Sequence, residues 1–478
     1  MTAMPFAAAP AYIENRTFDE IAIGDSAGLE RTLEQRDIEL FAAVSGDVNP
    51  AHMDPEYARS DLFHHVVAHG MWGAALISAV LGTELPGPGT IYLAQQLRFL
   101  APVALGDTIT VTVTAREKNP ARQRIAFDCR CSNQHGVDVI LGSAEVQAPT
   151  EKIRRPRAEL PGVRVADHAR FHALLARTAG GAAMPTAVVH PCDEASVAAA
   201  AEAAQAGLIV PILVGPAAKI RAAAQRAGID IARFRLVDAP HSHAAAAQAV
   251  ALVRGGEAGL LMKGSLHTDE LMHAVVAADS GLRTARRLSH VYLMGVPGYA
   301  RPLLITDAAV NIAPTLEEKR DIAQNAIDLA RILGNAAPRV AVLSAVETVN
   351  PAIASTLDAA ALCKMAERGQ ISGGIVDGPL AFDNAVSADA AREKGIVSPV
   401  AGAADILLVP DLESGNMLAK ELSFLAGADA AGVVMGARVP IVLTSRADTP
   451  RARIASCAVA VLVARAQAAA VVPAAAEG

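Results

Sequence analysis

Between Val44 and Gly82 the chain passes from a polar turn to a run with no polar face. Met71, Trp72, Ala74, Ala75, Leu76, Ile77, Ala79, Val80 and Leu81 are apolar all round a helical wheel. The spacing predicts a helix buried in a core and too short to cross a bilayer. The turn before it, Ser45-Gly46-Asp47-Val48-Asn49-Pro50-Ala51-His52, reads as irregular, because Gly46 loosens it and Pro50 pushes Asn49 toward extended geometry. Asp47 and His52 are therefore expected on a loop. A short helical pattern precedes them at 36–44. After Thr90 the period becomes two, with strand patterns at 108–114, 124–131 and 137–146 separated by Gly, Asn and Pro turns. An apolar helix followed by consecutive strands predicts an antiparallel sheet curled around that helix.

A Pro- and charge-rich stretch without periodicity, 148–163, reads as a linker between a first domain at 1–147 and a second at 164–478. Beyond it, near-continuous apolar runs recur at 186–189, 211–214, 259–262, 291–294, 302–305, 340–343, 406–409 and 441–443. Runs of that kind, separated by helical or loop stretches, predict buried parallel strands in an α/β domain divided into two lobes with a cleft. The best helix pattern is 316–333, with Thr315 and Glu318 as a capping box and Gly334 as the stop.

Composition narrows the function. With 478 residues, 52% hydrophobic, 19% charged and a net charge of -7, the chain has no basic footprint for nucleic acid. No uninterrupted run of about 18 apolar residues suggests a membrane span. Residues 1–11 lack the basic start of a signal peptide. Cys129, Cys131, Cys192, Cys363 and Cys457 are few, odd in number and scattered, which suits reduced thiols and a cytoplasmic location. Cys129 and Cys131 would share a strand face and read as packing rather than as metal ligands. His241 and His243 read as surface residues.

Local chemistry points to two places. A carboxylate and an imidazole brought together at Asp47 and His52 can take a proton from water and deliver one. Gly70, at the start of the apolar helix, has an N–H able to polarise a carbonyl. In the second half no P-loop and no dinucleotide-binding glycine pattern follows a strand. There the segment 442–450, Val-Leu-Thr-Ser-Arg-Ala-Asp-Thr-Pro, ends a buried strand and opens a helix, a place suited to phosphate. Alternatively, Asp448 or Thr449 merely caps that helix, with Pro450 at its first position. Lys263 and His267 follow a strand and would line a cleft or only a turn; Asp383 and Asn384 are similar.

The run SGD-x-NP-x-H, then AHGM, then LPGPGTIYLAQQLRFLAPVALGDTITVTV (85–113) resembles the R-specific, MaoC-like enoyl-CoA hydratases of the hotdog fold. The resemblance implies that Asp47 and His52 are the catalytic dyad, Gly70 the oxyanion donor, Ser78 a supporting serine and Asn49 a residue holding the turn or dyad. The second half is similar to phosphate acetyl- and butyryltransferases, closest to the butyryl branch. The similarity is carried by MKGSLHTDELM (262–272), SHVYLMGVPGY (289–299), LITDAAVNIAPTLEEKRDIAQNAI (304–327), DGPLAFDNAVS (377–387), VPDLESGNMLAKEL (409–422) and TSRAD (444–448). By that resemblance Ser445 and Arg446 contact the CoA sulfur and stabilise charge. The acetyl branch places a thiol base several residues later, where this chain has Arg451 and Ala452, and Asp448 is the nearest carboxylate. Together the resemblances imply a hotdog domain followed by a two-lobed, mostly parallel α/β domain. They also imply CoA thioesters and phosphate as substrates, no bound metal or permanent cofactor, no nucleic-acid or membrane partner, and a homodimer or larger homo-oligomer. The alternative is an active hydratase whose transferase-like half is a non-catalytic acyl-CoA-sensing and oligomerising module.

Overall fold

The computed structural model describes residues 12–158, 163, 169–443 and 448–471. Two compact units divide the chain, 1–166 and 167–478.

In the first unit the elements run β1 (Tyr12–Glu14), β2 (Ser26–Thr32), α1 (Gln35–Ser45), α2 (Pro50–Met53), α3 (Pro55–Ser60), α4 (Gly70–Thr83), β3 (Ile91–Phe99), β4 (Thr108–Asn119), β5 (Arg124–Ser132), β6 (Asp138–Gln147) and β7 (Arg154–Pro156). Strands β2-β4-β5-β6-β3 form a five-stranded antiparallel sheet. The apolar helix is α4. Its Trp72, Ile77, Val80 and Leu81 share one core with the inward residues of β4 and β5, among them Val111, Val113, Ile125 and Phe127. Alternation of half-buried and buried positions over 108–115 of β4 fixes its register, since a one-residue slip would turn the core face outward. Cys129 and Cys131 belong to this inward face, and burial pushes their thiols up to about 11 and about 12.

Three expectations need correction here. The apolar helix is not buried all round, since only one face of α4 is covered by the sheet and Met71, Ala75 and Ser78 are exposed. His52 is not on a loop: Asn49 caps the one-turn helix α2 by accepting from the Ala51 N–H at 3.1 Å, with Pro50 at its first position. Proline is favoured there because the missing N–H has no helical partner to lose. The stretch read as linker is also not structureless throughout, since β7 pairs antiparallel with β1.

The second unit carries β8 (Met184–Val189), β9 (Ile209–Gly215), β10 (Arg235–Asp238), β11 (Leu260–Lys263), β12 (Ser289–Gly295), β13 (Leu303–Thr306), β14 (Arg339–Leu343), β15 (Ile375–Leu380), β16 (Ile406–Leu408), β17 (Asp429–Met435) and β18 (Ile441–Val442). They form one sheet in the order β10-β9-β8-β11-β18-β17-β12-β13-β16-β14-β15. Each flank is parallel, β10 to β18 on one side and β13 to β15 on the other. The centre, β18-β17-β12-β13, is antiparallel. Strand direction therefore reverses between the flanks, and the two lobes are halves of one mostly parallel sheet. The helix Leu316–Ile332 has the expected reciprocal capping box between Thr315 and Glu318. The helix Pro450–Val471 is long and apolar enough to cross a membrane, but half of its apolar window is buried in the protein. Its Ser456 hydroxyl accepts from the Gly432 N–H of β17 at 2.9 Å, as suits a core helix.

Phe127 is fully buried between α4 and the sheet. Phe127→Ala is expected to lower the stability of the first unit by about 3–5 kcal/mol, read as an earlier urea transition in the full chain.

Candidate functional site

In the first unit Asp47 and His52 are brought together by a helix end, a turn and a second helix start. Gly46 closes α1 in the left-handed region, φ 76°, where a side chain would be strained. The chain then turns through Asp47, whose Oδ1 accepts from the Asn49 N–H at 3.2 Å, and enters α2. His52 Nδ1 lies 2.8 Å from the Val67 carbonyl. A carbonyl only accepts, so that nitrogen carries the proton and Nε2 is left with its lone pair. His69, buried immediately before α4, points Nε2 at the Asp47 carbonyl at 2.9 Å, which fixes the opposite tautomer. Its Nδ1 is buried without a hydrogen-bond partner among the described residues. The two rings lie 4.0 Å apart, and side-chain ligand atoms of Asp47, His52 and His69 all fall within 4.8 Å.

A cavity of about 340 Å³ opens beside this cluster, lined by His52, His69, Gly70 and apolar groups including Trp72, Phe99 and Ile140. Gly70 faces it at the first position of α4, where backbone N–H groups have no intrahelical partner. A side chain there would press on the Phe99 ring, 3.0 Å from the position a Cβ would take. The structure thus brings together Asp47, Asn49, His52 and Gly70. Ser78 is exposed and lies about 12 Å along α4 from Gly70 at 1.5 Å per residue, outside the cavity lining. His69 is the residue that sequence reasoning missed. Its signal was a polar side chain directly preceding a helix with no polar face.

In the second unit Ser445 and Arg446 lie outside the described residues. Lys263 ends β11 one residue beyond the pairing of Met262 with Val442, so it stands at the end of the strand beside β18. His267 is exposed and caps the helix Thr268–Val276 with Glu270. Asp448 lines a cavity of about 730 Å³ together with Tyr292, Lys420, Ser423, Asp429 and Arg451. Thr449, not Asp448, accepts from the Ala452 N–H at the helix start, at 3.1 Å. Burial first, and then the charge of Asp448, push the Tyr292 hydroxyl up from its usual range, so it stays protonated. Asp383 and Asn384 follow β15, six strand spacings from β18, which is roughly 29 Å along the sheet. Lys394 bridges Asp383 and Glu347, lowering both carboxyls, while Asn384 donates to Glu347 at 2.6 Å. That cluster holds the far flank together and does not reach the end of β18. His241 and His243 are exposed, as expected.

Comparison with known proteins agrees with this geometry. The family model described as MaoC like domain matches residues 20–134, and that described as phosphate acetyl/butaryl transferase matches 241–461. The chain thus joins a MaoC-like hotdog domain to a phosphotransacylase-like one. It belongs to the phosphate acetyl/butyryl transferase family, since it is 64% identical over 299 residues to a phosphate acetyltransferase of Rhizobium meliloti, 63% of this chain and 95% of that one. A phosphate butyryltransferase of Clostridium acetobutylicum is 42% identical over 57% of this chain and 90% of its own. Identity is thus higher to this acetyltransferase, contrary to the butyryl leaning of the motifs. The solved structure of a branched-chain phosphotransacylase from Enterococcus faecalis V583 covers 59% of this chain and 99% of its own, with 29% identity and a TM-score of 0.53.

One buried group gives a pH signature. His290 on β12 is fully enclosed, its ring 4.4 Å from that of Tyr292, and burial pushes its pKa down to about 4 although Asp307 acts the other way. The unfolded chain takes up this proton first as pH falls, so the contribution is complete above about 6.5 and is lost between there and about 4. The second unit is expected to lose on the order of 3 kcal/mol over that window. Urea titrations across it should show a shallower slope for His290→Asn.

Proposed function

We propose that the chain is a bifunctional acyl-CoA enzyme. Its first unit adds water across the double bond of a trans-2-enoyl-CoA to give an R-3-hydroxyacyl-CoA, and its second moves an acyl group between CoA and inorganic phosphate. The observation that carries the first assignment is the Val67 carbonyl on His52 Nδ1, which makes Nε2 the lone-pair nitrogen of a ring clustered with the Asp47 side chain within 4.8 Å, beside the cavity that Gly70 lines. Water held between Asp47 and His52 gives a proton to His52 Nε2 as its oxygen bonds to C3, with the Asp47 carboxylate orienting the water and offsetting the charge on the imidazolium. That same proton then passes from Nε2 to C2, and the Gly70 N–H stabilises the negative charge that develops meanwhile on the thioester oxygen. Asn49 holds the turn and His69 props the Asp47 backbone and the His52 ring. Ser78 does not reach this cavity within one chain, so its supporting role is reserved for a paired form.

In the second unit, similarity to an acetyltransferase over nearly its whole length supports transfer chemistry. Asp448 takes the thiol proton of CoA, and the sulfur attacks the carbonyl carbon of the acyl phosphate. The C–S bond forms as the C–O bond to phosphate breaks, with Arg446 and Ser445 stabilising the charge between them. No cysteine lies in the TSRAD segment, so transfer is direct rather than through an acyl-cysteine. Lys263 and His267 serve the substrate side of this step, while Asp383 and Asn384 are given no part in it because of their place at the far flank. Substrates are small acyl-CoA and acyl phosphate molecules, and the working form is a homo-oligomer.

Asp47→Asn is expected to slow crotonyl-CoA hydration by about 10²–10⁴, followed as loss of enoyl absorbance, with acyl transfer untouched. Asp448→Asn should reduce CoA-dependent turnover of acetyl phosphate more than tenfold, a loss on the scale of general-base catalysis, in protein whose fold and hydration rate are unchanged. Full transferase activity in that variant would leave Asp448 a structural residue.

A further inference from the structure

We propose that the second unit carries a binding site for an amphiphilic anion, an aliphatic chain ending in a phosphate or carboxylate. The site is the cavity of about 530 Å³ beside the helix Ala169–Ala176, within the roughly 300–1,000 Å³ usual for small-molecule sites. Its two surfaces match the two ends of such a ligand. Leu174, Met294, Leu304 and Ala455 are buried and give it an apolar floor. Arg170, Arg177, Arg301 and Arg451 line it against the carboxylates of Asp405 and Asp429, four cations to two anions, an excess of two positive charges.

How these guanidinium groups are held decides what they are free to do. Arg170 donates to the carbonyls of Tyr299 and Arg301, and Arg177 to those of Leu333 and Ile332. Carbonyl oxygens orient a guanidinium without cancelling its charge, so both stay cationic at the mouth of an apolar space. Arg301 faces Asp405 at 3.4 Å and also donates to the Ala403 carbonyl, and Arg451 faces Asp429 at 3.4 Å. Planar, fixed guanidinium groups are the side chains best suited to phosphate and carboxylate oxygens, and the buried aliphatic floor favours a hydrocarbon over a sugar or nucleotide tail. Nothing in the assignment of Asp47, His52, Ser445, Arg446 or Asp448 uses this cavity. Arg451 and Asp429 nevertheless also line the space containing Asp448, so an occupant would adjoin the transfer site.

The test is calorimetric titration of the full-length protein with dodecyl phosphate and with laurate, using dodecyl maltoside as the uncharged control. The expected result is saturable binding of the anions but not the maltoside, weakened about tenfold or more in Arg170→Gln/Arg177→Gln. Ala336→Trp, which narrows the cavity at an exposed position, should weaken it as well without relying on the arginines. Competition by dodecyl phosphate against acetyl-CoA in the transfer assay would assign the site to the reacting acyl group. Binding without such competition would assign it to a free fatty anion. The proposal is overturned if the anions do not bind, if the maltoside binds equally, or if neither variant changes the affinity. None of these outcomes depends on the transfer activity, whose loss would be read separately from acetyl phosphate turnover.

Discussion

The face of α4 that carries Trp72, Ile77, Val80 and Leu81 has to be covered, and that requirement shapes the first unit. With one face of α4 covered by the sheet, its first turn, Gly70, Trp72 and Gly73, meets the cavity beside Asp47 and His52. The same junction places His69 under the turn that carries Asp47, and places Val67 where its carbonyl receives the His52 N–H. Two imidazoles are thereby held by backbone carbonyls in opposite tautomers. Packing of an apolar helix thus ends by setting the protonation pattern of a polar site.

In the second unit the corresponding constraint is the reversal of strand direction at β18-β17-β12-β13. It makes one continuous sheet serve two lobes, and Asp429 at the start of β17 lines one cavity with Asp448. The helix Pro450–Val471 then crosses β17, tied by Ser456 to Gly432. Arg451, where the acetyl branch would lead one to look for a base, is ion-paired to Asp429 instead. Two cavities share this pair in their linings, so the site proposed for transfer and the site proposed for an amphiphile adjoin.

Much of this was legible in the residues. Period-two alternation at 108–146 and the near-continuous apolar runs identify both sheets, and eight of the second unit's strands coincide with those runs. The strands left unread explain themselves. Strand β10 is only Arg-Leu-Val-Asp at the sheet edge, β15 carries Asp377, Gly378 and Pro379, and β17 opens on Asp-Ala-Ala-Gly, so none has the branched apolar density that marks a buried strand. Antiparallel pairing at the centre was also invisible, because a buried antiparallel strand has the same composition as a parallel one. At the sites, residue identity found Asp47, His52 and Gly70, while His69 emerged only when the fold stacked it on His52. The cavity lined by Arg170, Arg177, Arg301 and Arg451 joins residues up to 281 positions apart in the sequence, beyond the reach of any motif.

The central claim is that two separate reactions on CoA thioesters share one chain. It is tested most directly by CoA-dependent thioester formation from acetyl phosphate and from butyryl phosphate, wild type against Arg446→Ala, with crotonyl-CoA hydration measured in the same samples. The account predicts transfer in the wild type that Arg446→Ala abolishes, with hydration equal in both proteins. Absence of transfer from either acyl phosphate, in protein that still hydrates crotonyl-CoA, would contradict it and leave the second unit as a binding module.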